Sequence, residues 1–390
     1  MAKSLSIIYT FLPYVDTAGI VFAKRMQAEI KEPMTVISCK AYNGAPVDNS
    51  LSTLVSPYLE KLIEIDAKFT YREWENFEDF YNKAISAYQD EVKSGVVFNK
   101  IYSRSMSVIS HLVAYKIKCL NPEITWIAEF SDPIIKDVTG VERETILPEV
   151  WLRNFIDVKQ IECFRQYNNL FSLSEILVYL FADQIKFTND LQRDFMINYF
   201  SKEILNKNII RQKVKLAFER SIIVPHPSLN SKFYSLEKFD VEGISSKYVN
   251  IAYFGNINSK RTFNTLFESW LKLNKKSRDK FRFYVFTNIR EETVLKSIPL
   301  DLHEYIQIRK GLPYLEFLNS MQYFDYLLSV DTEVKEIFNV NPFLPSKISD
   351  YLGSNSKILA LVESGSPTDL LKSDRIVKFD FNKFDIRSLM

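Results

Sequence analysis

Two doubly wound α/β domains are predicted by an internal echo in the chain, by strand and helix candidates that alternate along its length, and by its 390 residues. That length is ample for two cores of ordinary size. The echo lies in two opening units. Leu5-Ser-Ile-Ile-Tyr-Thr-Phe11 is an apolar strand candidate, followed by the turn Leu12 to Gly19 and a helix candidate from Ile20. Tyr248 to Phe254 is a second such strand, followed by the turn Gly255 to Arg261 and the amphipathic segment Thr262 to Leu271. A buried apolar run, a turn and an amphipathic helix make the first βα unit of a parallel sheet.

Between the two openings, strand candidates fall at Met34 to Cys39, Gly95 to Phe98, Thr125 to Phe130 and Ser221 to Pro225, with helices over Phe77 to Val92 and Val108 to Lys118. After the second opening, Phe281 to Thr287, Ile306 to Ile308 and Tyr326 to Val330 supply strands, and Tyr314 to Met321 a helix. This alternation predicts βαβ units. Residues 228–247 are polar and weakly periodic, so the expected division is a first domain over 1–227, a linker over 228–247 and a second domain over 248–390.

Composition narrows the function classes. Apolar residues at 46% and charged residues at 25% are globular values. The net charge of +2, from 50 basic and 48 acidic residues, gives no case for nucleic acid as a partner. Cys39, Cys119 and Cys163 lie far apart and are odd in number, which yields neither a disulfide framework nor a zinc site. The first apolar run is too short for a signal peptide, and no stretch approaches the roughly 20 apolar residues of a membrane span. The expectation is a cytoplasmic protein. Lys202, Lys207, Arg211, Lys213, Lys215 and Arg220 are interleaved with apolar residues. That stretch reads either as a basic helix resting on the anionic inner face of a membrane or, more commonly for such a face, as a solvated helix of the first domain.

Residues 341–362 hold a turn, a helix start and a buried strand in one short span. Pro342 and Pro345 keep the chain extended and lead to Ser346, an N-cap residue type for a helix through Tyr351 and Leu352. The first-turn amides and positive dipole end welcome an anion, and Lys347 adds a full charge there. Asp350, three residues on, faces the same way and is able to accept hydrogen bonds from both hydroxyls of a ribose. Lys357 to Val362 reads as a buried parallel strand. The layout suits a nucleoside diphosphate, and an ordinary surface helix with a Lys/Asp pair accounts for the bare pattern equally well.

Other familiar chemistry is missing. There is no G-x-G-x-x-G and no P-loop, and the three histidines, His111, His226 and His303, have no ligand spacing. No Asp-x-Asp pair is present to hold a metal ion. What remains in the second domain is Gly255, Lys260, Arg261, Lys347 and Asp350, which a parallel sheet gathers at its carboxyl edge.

Six pieces in order carry a resemblance that spans the chain: Leu12-Pro-Tyr-Val-Asp-Thr-Ala-Gly-Ile-Val21, Trp126-Ile-Ala-Glu-Phe-Ser-Asp-Pro133, Ala182-Asp-Gln-Ile-Lys-Phe-Thr-Asn189, Ile223-Val-Pro-His-Pro227, Ile251-Ala-Tyr-Phe-Gly255 and Pro345-Ser-Lys-Ile-Ser-Asp-Tyr-Leu352. Together they resemble the GT-B-fold glycosyltransferases of the large retaining group that includes sucrose synthase and many bacterial polysaccharide and lipid-glycan transferases. The resemblance implies two Rossmann-like domains facing each other across a cleft, the first binding the acceptor and the second a nucleoside-diphosphate sugar. It implies transfer with retention, without a cofactor, and with Arg261 and Lys347 neutralising the diphosphate in place of a metal ion.

Carried onto this sequence, the donor contacts would be Gly255, Asn256, Lys260, Arg261, Phe343, Leu344, Ser346, Lys347 and Asp350. Asp350 matches the second acid of the family's Glu-x7-Glu element. The first acid falls at Pro342 and is missing, which leaves sugar recognition to backbone groups of Phe343 and Leu344, and Asn256 stands where many relatives have a basic residue. On the acceptor side, Gly19 would keep its loop tight, with Arg104 behind His111 and Asp132 as polar contacts near the reacting sugar. A helix histidine packed in the core is an equal reading of His111, and His226 reads as structural. The family's closing helix across to the first domain is not found before Met390, and the expectation is either a truncated sequence or a different closure.

Three functions follow. The leading one is a metal-independent retaining transferase acting on a surface-glycan or lipid-linked acceptor. A catalytically silent subunit supporting a partner transferase fits the missing acid, and a sugar-nucleotide epimerase on the same fold would need more acids and histidines in its cleft.

Overall fold

Strands buried on both faces draw on near-continuous apolar runs, and the two opening runs of the chain supply central strands of two parallel sheets. A computed structural model describes residues 3–41, 46–105, 107–162, 164–201, 211–256 and 263–390. The chain divides into two units, Met1–His226 and Pro227–Met390.

In the first unit the strands are β1 (Lys3–Ile7), β2 (Met34–Ala41), β3 (Leu59–Lys68), β4 (Phe98–Arg104), β5 (Thr125–Glu129), β6 (Gln184–Phe187) and β7 (Ser221–Ile223). They lie in the order β3-β2-β1-β4-β5-β6-β7, all parallel. The order reverses between β1 and β4, which opens a crevice at their carboxyl ends. Helices Trp74–Lys93, Ile109–Leu120 and Leu170–Phe181 bury apolar faces against the sheet.

Two departures from the sequence reading have physical causes. The strand expected over Gly95 to Phe98 begins only at Phe98, because Gly95 turns the chain at φ 94° and the strand proper carries polar Asn99, Lys100 and Ser103. Strand β3 has no counterpart in that reading. It is the sheet edge, and its Glu60, Lys61, Glu64, Asp66 and Lys68 break any apolar run.

The second unit holds β8 (Val249–Phe254), β9 (Phe281–Thr287), β10 (Ile306–Lys310), β11 (Tyr326–Val330), β12 (Lys357–Val362) and β13 (Ile376–Asp380). The order is β10-β9-β8-β11-β12-β13, again all parallel, and it reverses between β8 and β11. Helix Asn264–Leu271 buries Leu266, Phe267 and Trp270 on this sheet. The chain end docks there too: Ile386 and Leu389 join the same core, and the Ile386 N–H donates to Ser269 Oγ at 2.8 Å.

Residues 228–247 are not a free linker. Phe233 and Phe239 are buried in the second unit, Ser228 Oγ donates to the Ser349 carbonyl at 2.6 Å, and Tyr234 Oη donates to the Asp350 carbonyl at 2.7 Å. The polar composition hides these few aromatic anchors. Of the basic stretch, 202–210 lie outside the described residues, and helix Arg211–Glu219 buries Val214 and Ala217.

The fit at Tyr234 is close enough to test. A Cβ on Gly353 would lie 1.8 Å from Tyr234 Oη, an atom pinned by its own hydrogen bond. Gly353→Ala is expected to destabilise the protein by about 1–3 kcal/mol in urea unfolding. The loss should shrink when the change is made on a Tyr234→Ala background.

Candidate functional site

At the carboxyl end of β8 the chain turns through Gly255 at φ 133°, with its N–H donating to the Phe286 carbonyl at 2.9 Å. This backbone conformation favours glycine. Space requires it as well, since a Cβ here would lie 2.7 Å from Lys347 Nζ. Lys347 opens helix Lys347–Gly353. Its ammonium donates to the Phe254 carbonyl and lies 4.1 Å from the centroid of the Tyr253 ring, whose face attracts a cation. Tyr253 Oη in turn donates to the Asn256 carbonyl at 3.1 Å, and Thr287 Oγ1 donates to Asn256 Oδ1 at 3.1 Å. Gly255 and Asn256 thus meet Lys347, far from them in the chain, beside the point where the strand order reverses.

One helical turn on, Asp350 is 7% exposed and its Oδ1 accepts the Tyr314 hydroxyl at 2.7 Å. Burial, and then the nearby carboxylate, raise the Tyr314 phenol well above its ordinary range, so it stays protonated as a donor. Lys260 and Arg261 lie outside the described residues.

The loop before this helix corrects one expectation. Ser346 precedes the helix but is itself in a helical conformation and its side chain caps nothing; its carbonyl instead accepts Ser349 Oγ at 2.6 Å. A side-chain cap needs an extended residue at that position. Of the backbone groups of Phe343 and Leu344, the Phe343 N–H donates to Asn341 Oδ1 at 3.0 Å. Leu344 is 6% exposed.

Asp331 and Glu363 were missed. Glu363 accepts the amides of Val334 and Lys335 at 3.1 and 2.9 Å and the Asn341 amide group at 2.9 Å. Asp331 accepts the hydroxyls of Ser366 and Thr368 at 2.5 and 2.7 Å and the Glu363 N–H at 3.2 Å. Between them they brace residues 331–343. Each is the carboxylate immediately following a predicted strand, which is the signal that could have found them.

In the first unit, Gly19 and Arg104 come together around Asp16. The Asp16 carboxylate caps helix Thr17–Arg25 by accepting from the Ala18 and Gly19 amides at 2.8 and 3.3 Å. A Cβ on Gly19 would meet the Thr10 carbonyl at 2.9 Å, so glycine here lets the helix approach the loop after β1. Burial raises the Asp16 carboxyl, an effect opposed by those amides and by Arg104. Arg104, 3% exposed, donates from Nε to Glu129 Oε1 at 3.0 Å, and its Nη1 has no hydrogen-bond partner. Glu129 also pairs with Arg25 Nε at 2.9 Å and Nη2 at 3.0 Å, and Arg25 holds Glu29 at 2.6 Å. Burial alone would raise the Glu129 carboxyl; the guanidiniums of Arg25 and Arg104 overcome it and hold it down at about 2.

His111 is set apart from these groups. Its helix turns the ring inward, with no exposed surface, 5.2 Å from the Phe130 ring and with Nδ1 hydrogen-bonded to Ser103 Oγ at 2.8 Å. Burial lowers its pKa to about 3, so the imidazole is neutral. The ring lies in the core of this unit. His226 closes the first unit, 8% exposed and kept neutral first by burial and then by Arg104 and Lys24. Asp132 is exposed on the loop after β5, beside Arg143. Among the described residues no three His, Cys, Asp or Glu side chains gather as a metal site, and no helix is long and apolar enough to cross a membrane.

No protein-family profile matches the chain, and no curated protein matches it in sequence. Its fold is nevertheless shared with solved glycosyltransferases. Sucrose-phosphate synthase from Thermosynechococcus elongatus superposes with a TM-score of 0.58 at 11% identity, covering 98% of this chain and 88% of its own. WaaG, a glycosyltransferase of lipopolysaccharide biosynthesis, gives 0.53 at 11% identity over 97% and 87%. A trehalose-6-phosphate protein from E. coli bound with UDP-2-fluoro glucose gives 0.51 at 8% identity over 94% and 85%. Two doubly wound parallel sheets with these likenesses define the GT-B fold.

The buried pair around Glu129 makes a prediction. Glu129→Gln leaves the buried Arg104 guanidinium without its carboxylate and Arg25 with Glu29 alone, and should destabilise the protein by about 3–5 kcal/mol at neutral pH. Because the folded pKa lies below the ordinary 4.5, the stabilisation is complete above pH 4.5 and lost as pH falls toward about 2. The gap between wild type and variant in urea unfolding should close over that window.

Proposed function

We propose that the protein is a metal-independent retaining glycosyltransferase, moving a sugar from a nucleoside-diphosphate sugar to a surface-glycan or lipid-linked acceptor. The observation that carries this reading is the Lys347 ammonium packed against the Gly255 turn at the carboxyl end of β8, with Asp350 one helical turn away. Open α/β sheets bind ligands at this reversal of strand order. An ammonium already fixed between a carbonyl and a ring needs no reorganisation when negative charge develops on a departing diphosphate. In this proposal Lys347 and Arg261 neutralise the leaving group, Asp350 receives the ribose hydroxyls with Tyr314 orienting it, and Gly255 and Asn256 line the approach of the phosphates. The GT-B fold and a neighbour that carries UDP-2-fluoro glucose support the donor class.

A second reading, a silent subunit that supports a partner transferase, is favoured by Pro342 in place of an acid and by the Phe343 N–H being taken by Asn341. Calorimetry with UDP, GDP and ADP separates the two, since an active transferase binds at least one of them.

Lys347→Ala is expected to lower turnover by about 3 kcal/mol, more than a hundredfold, with nucleotide affinity falling in parallel. Unchanged kinetics would overturn the site. Turnover of the wild type should be the same with and without EDTA, measured as sugar transferred per unit time. A loss restored by a divalent cation would overturn the metal-free step.

A further inference from the structure

A cavity of about 660 Å³ opens in the first unit at the carboxyl edge of its sheet, between the loops that follow β4 and β5. Ser105 and Val108 come from the first loop and Ser131 and Asp132 from the second, with Tyr71 and Phe171 as aromatic walls. The Ser105 hydroxyl is buried, its residue 3% exposed, and has no hydrogen-bond partner. A buried hydroxyl left unpaired is unfavourable unless something completes it, and its residue lines the cavity.

The charged lining has a definite bias. Four carboxylates, Asp132, Asp137, Glu142 and Glu144, stand against two guanidiniums, Arg72 and Arg143. Arg143 is largely a brace: its Nη1 donates to the carbonyls of Pro133, Ile134 and Lys136 at 2.9, 2.8 and 3.2 Å. Asp137 is occupied by the Thr139 and Val141 amides at 2.8 and 3.2 Å, and Glu142 by Tyr199 and, at 3.3 Å, by Arg165. Asp132, beside Arg143, and Glu144 are exposed acids of the wall. Carboxylates accept from vicinal hydroxyls, and an aromatic wall covers the apolar C–H face of a sugar ring. A phosphate placed there would meet more negative charge than positive.

We propose that this cavity reads the acceptor, and that it takes a neutral, hydroxyl-rich sugar and disfavours a phosphorylated one. The inference rests on the transferase reading above and specifies its acceptor class. Ser105 supplies a buried hydrogen bond to the ring substituents, Asp132 and Glu144 take paired hydroxyls, and Tyr71 covers the ring.

The test is saturation-transfer NMR and titration of the full chain with the methyl glycosides of glucose, galactose, mannose and N-acetylglucosamine and with their 6-phosphates. At least one neutral glycoside should bind, and its 6-phosphate should bind about tenfold or more weakly, a difference of ~1.4 kcal/mol. Ser105→Ala and the exposed Tyr71→Ala should each weaken the neutral glycoside about fivefold. Asp132→Asn with Glu144→Gln should narrow the gap to the 6-phosphate. Absence of binding by every neutral glycoside, tighter binding of the 6-phosphate, or indifference to both Ser105→Ala and Tyr71→Ala would overturn the proposal. Calorimetry with UDP, GDP and ADP on the same samples reports separately on the donor site. Glycoside binding without nucleotide binding sinks the transferase reading, and the converse sinks the assignment of the cavity.

Discussion

Parallel pairing is the constraint on which this molecule depends. When all strands of a sheet run the same way, helices must cover both faces, and every strand delivers its next loop to one edge. Apolar side chains such as Ile251, Leu328 and Leu359 are then buried in the layers, and polar groups are left to the carboxyl edge. Where the strand order reverses, the loops diverge and leave a crevice. Gly255 and Lys347 lie beside that crevice in the second unit, and Gly19 and Arg104 lie beside its counterpart in the first.

Within that frame the two edges are built by different physics. The first unit buries charge: Glu129 is enclosed by Arg25 and Arg104 and keeps its ionised form far into acid. Such a cluster is a weak source of net stability, and it fixes the directions in which its side chains point. The second unit relies on short polar contacts: Asp331 holds two side-chain hydroxyls and one backbone N–H, and Glu363 holds two backbone amides and the Asn341 side chain. Where Glu363 holds the loop through the Val334 and Lys335 amides, the path does not depend on those two side chains.

Much of the fold could be read from residues alone because buried parallel strands are predominantly apolar. Phe281–Thr287, Tyr326–Val330 and Lys357–Val362 coincide with their predicted spans for that reason. Edge strand β3 escaped because charge on both faces erases the pattern, and the segment 228–247 escaped because its anchors, Phe233 and Phe239, are too sparse to register as a period. Of the candidate site, Lys347 and Asp350 were legible through their spacing on one helix, and Gly255 through its place after a strand. The contacts that position Lys347 and Asp350, from Tyr253, the Phe254 carbonyl and Tyr314, come from distant parts of the chain and have no local spacing. His111 shows the reverse case: a chemically able residue whose helix faces the core, a distinction that residue type does not carry.

The contact of Tyr234 with Gly353 has an evolutionary side. The phenol fills the space a side chain at 353 would need, and its hydroxyl completes the carbonyl of Asp350. Neither position is then at liberty to drift alone. A larger residue at 353 is admissible only after the tyrosine has gone, and losing the tyrosine leaves a carbonyl unpaired on the helix that carries Lys347. Divergence at this pair must pass through a less stable ancestor, so the two residues should change together or not at all.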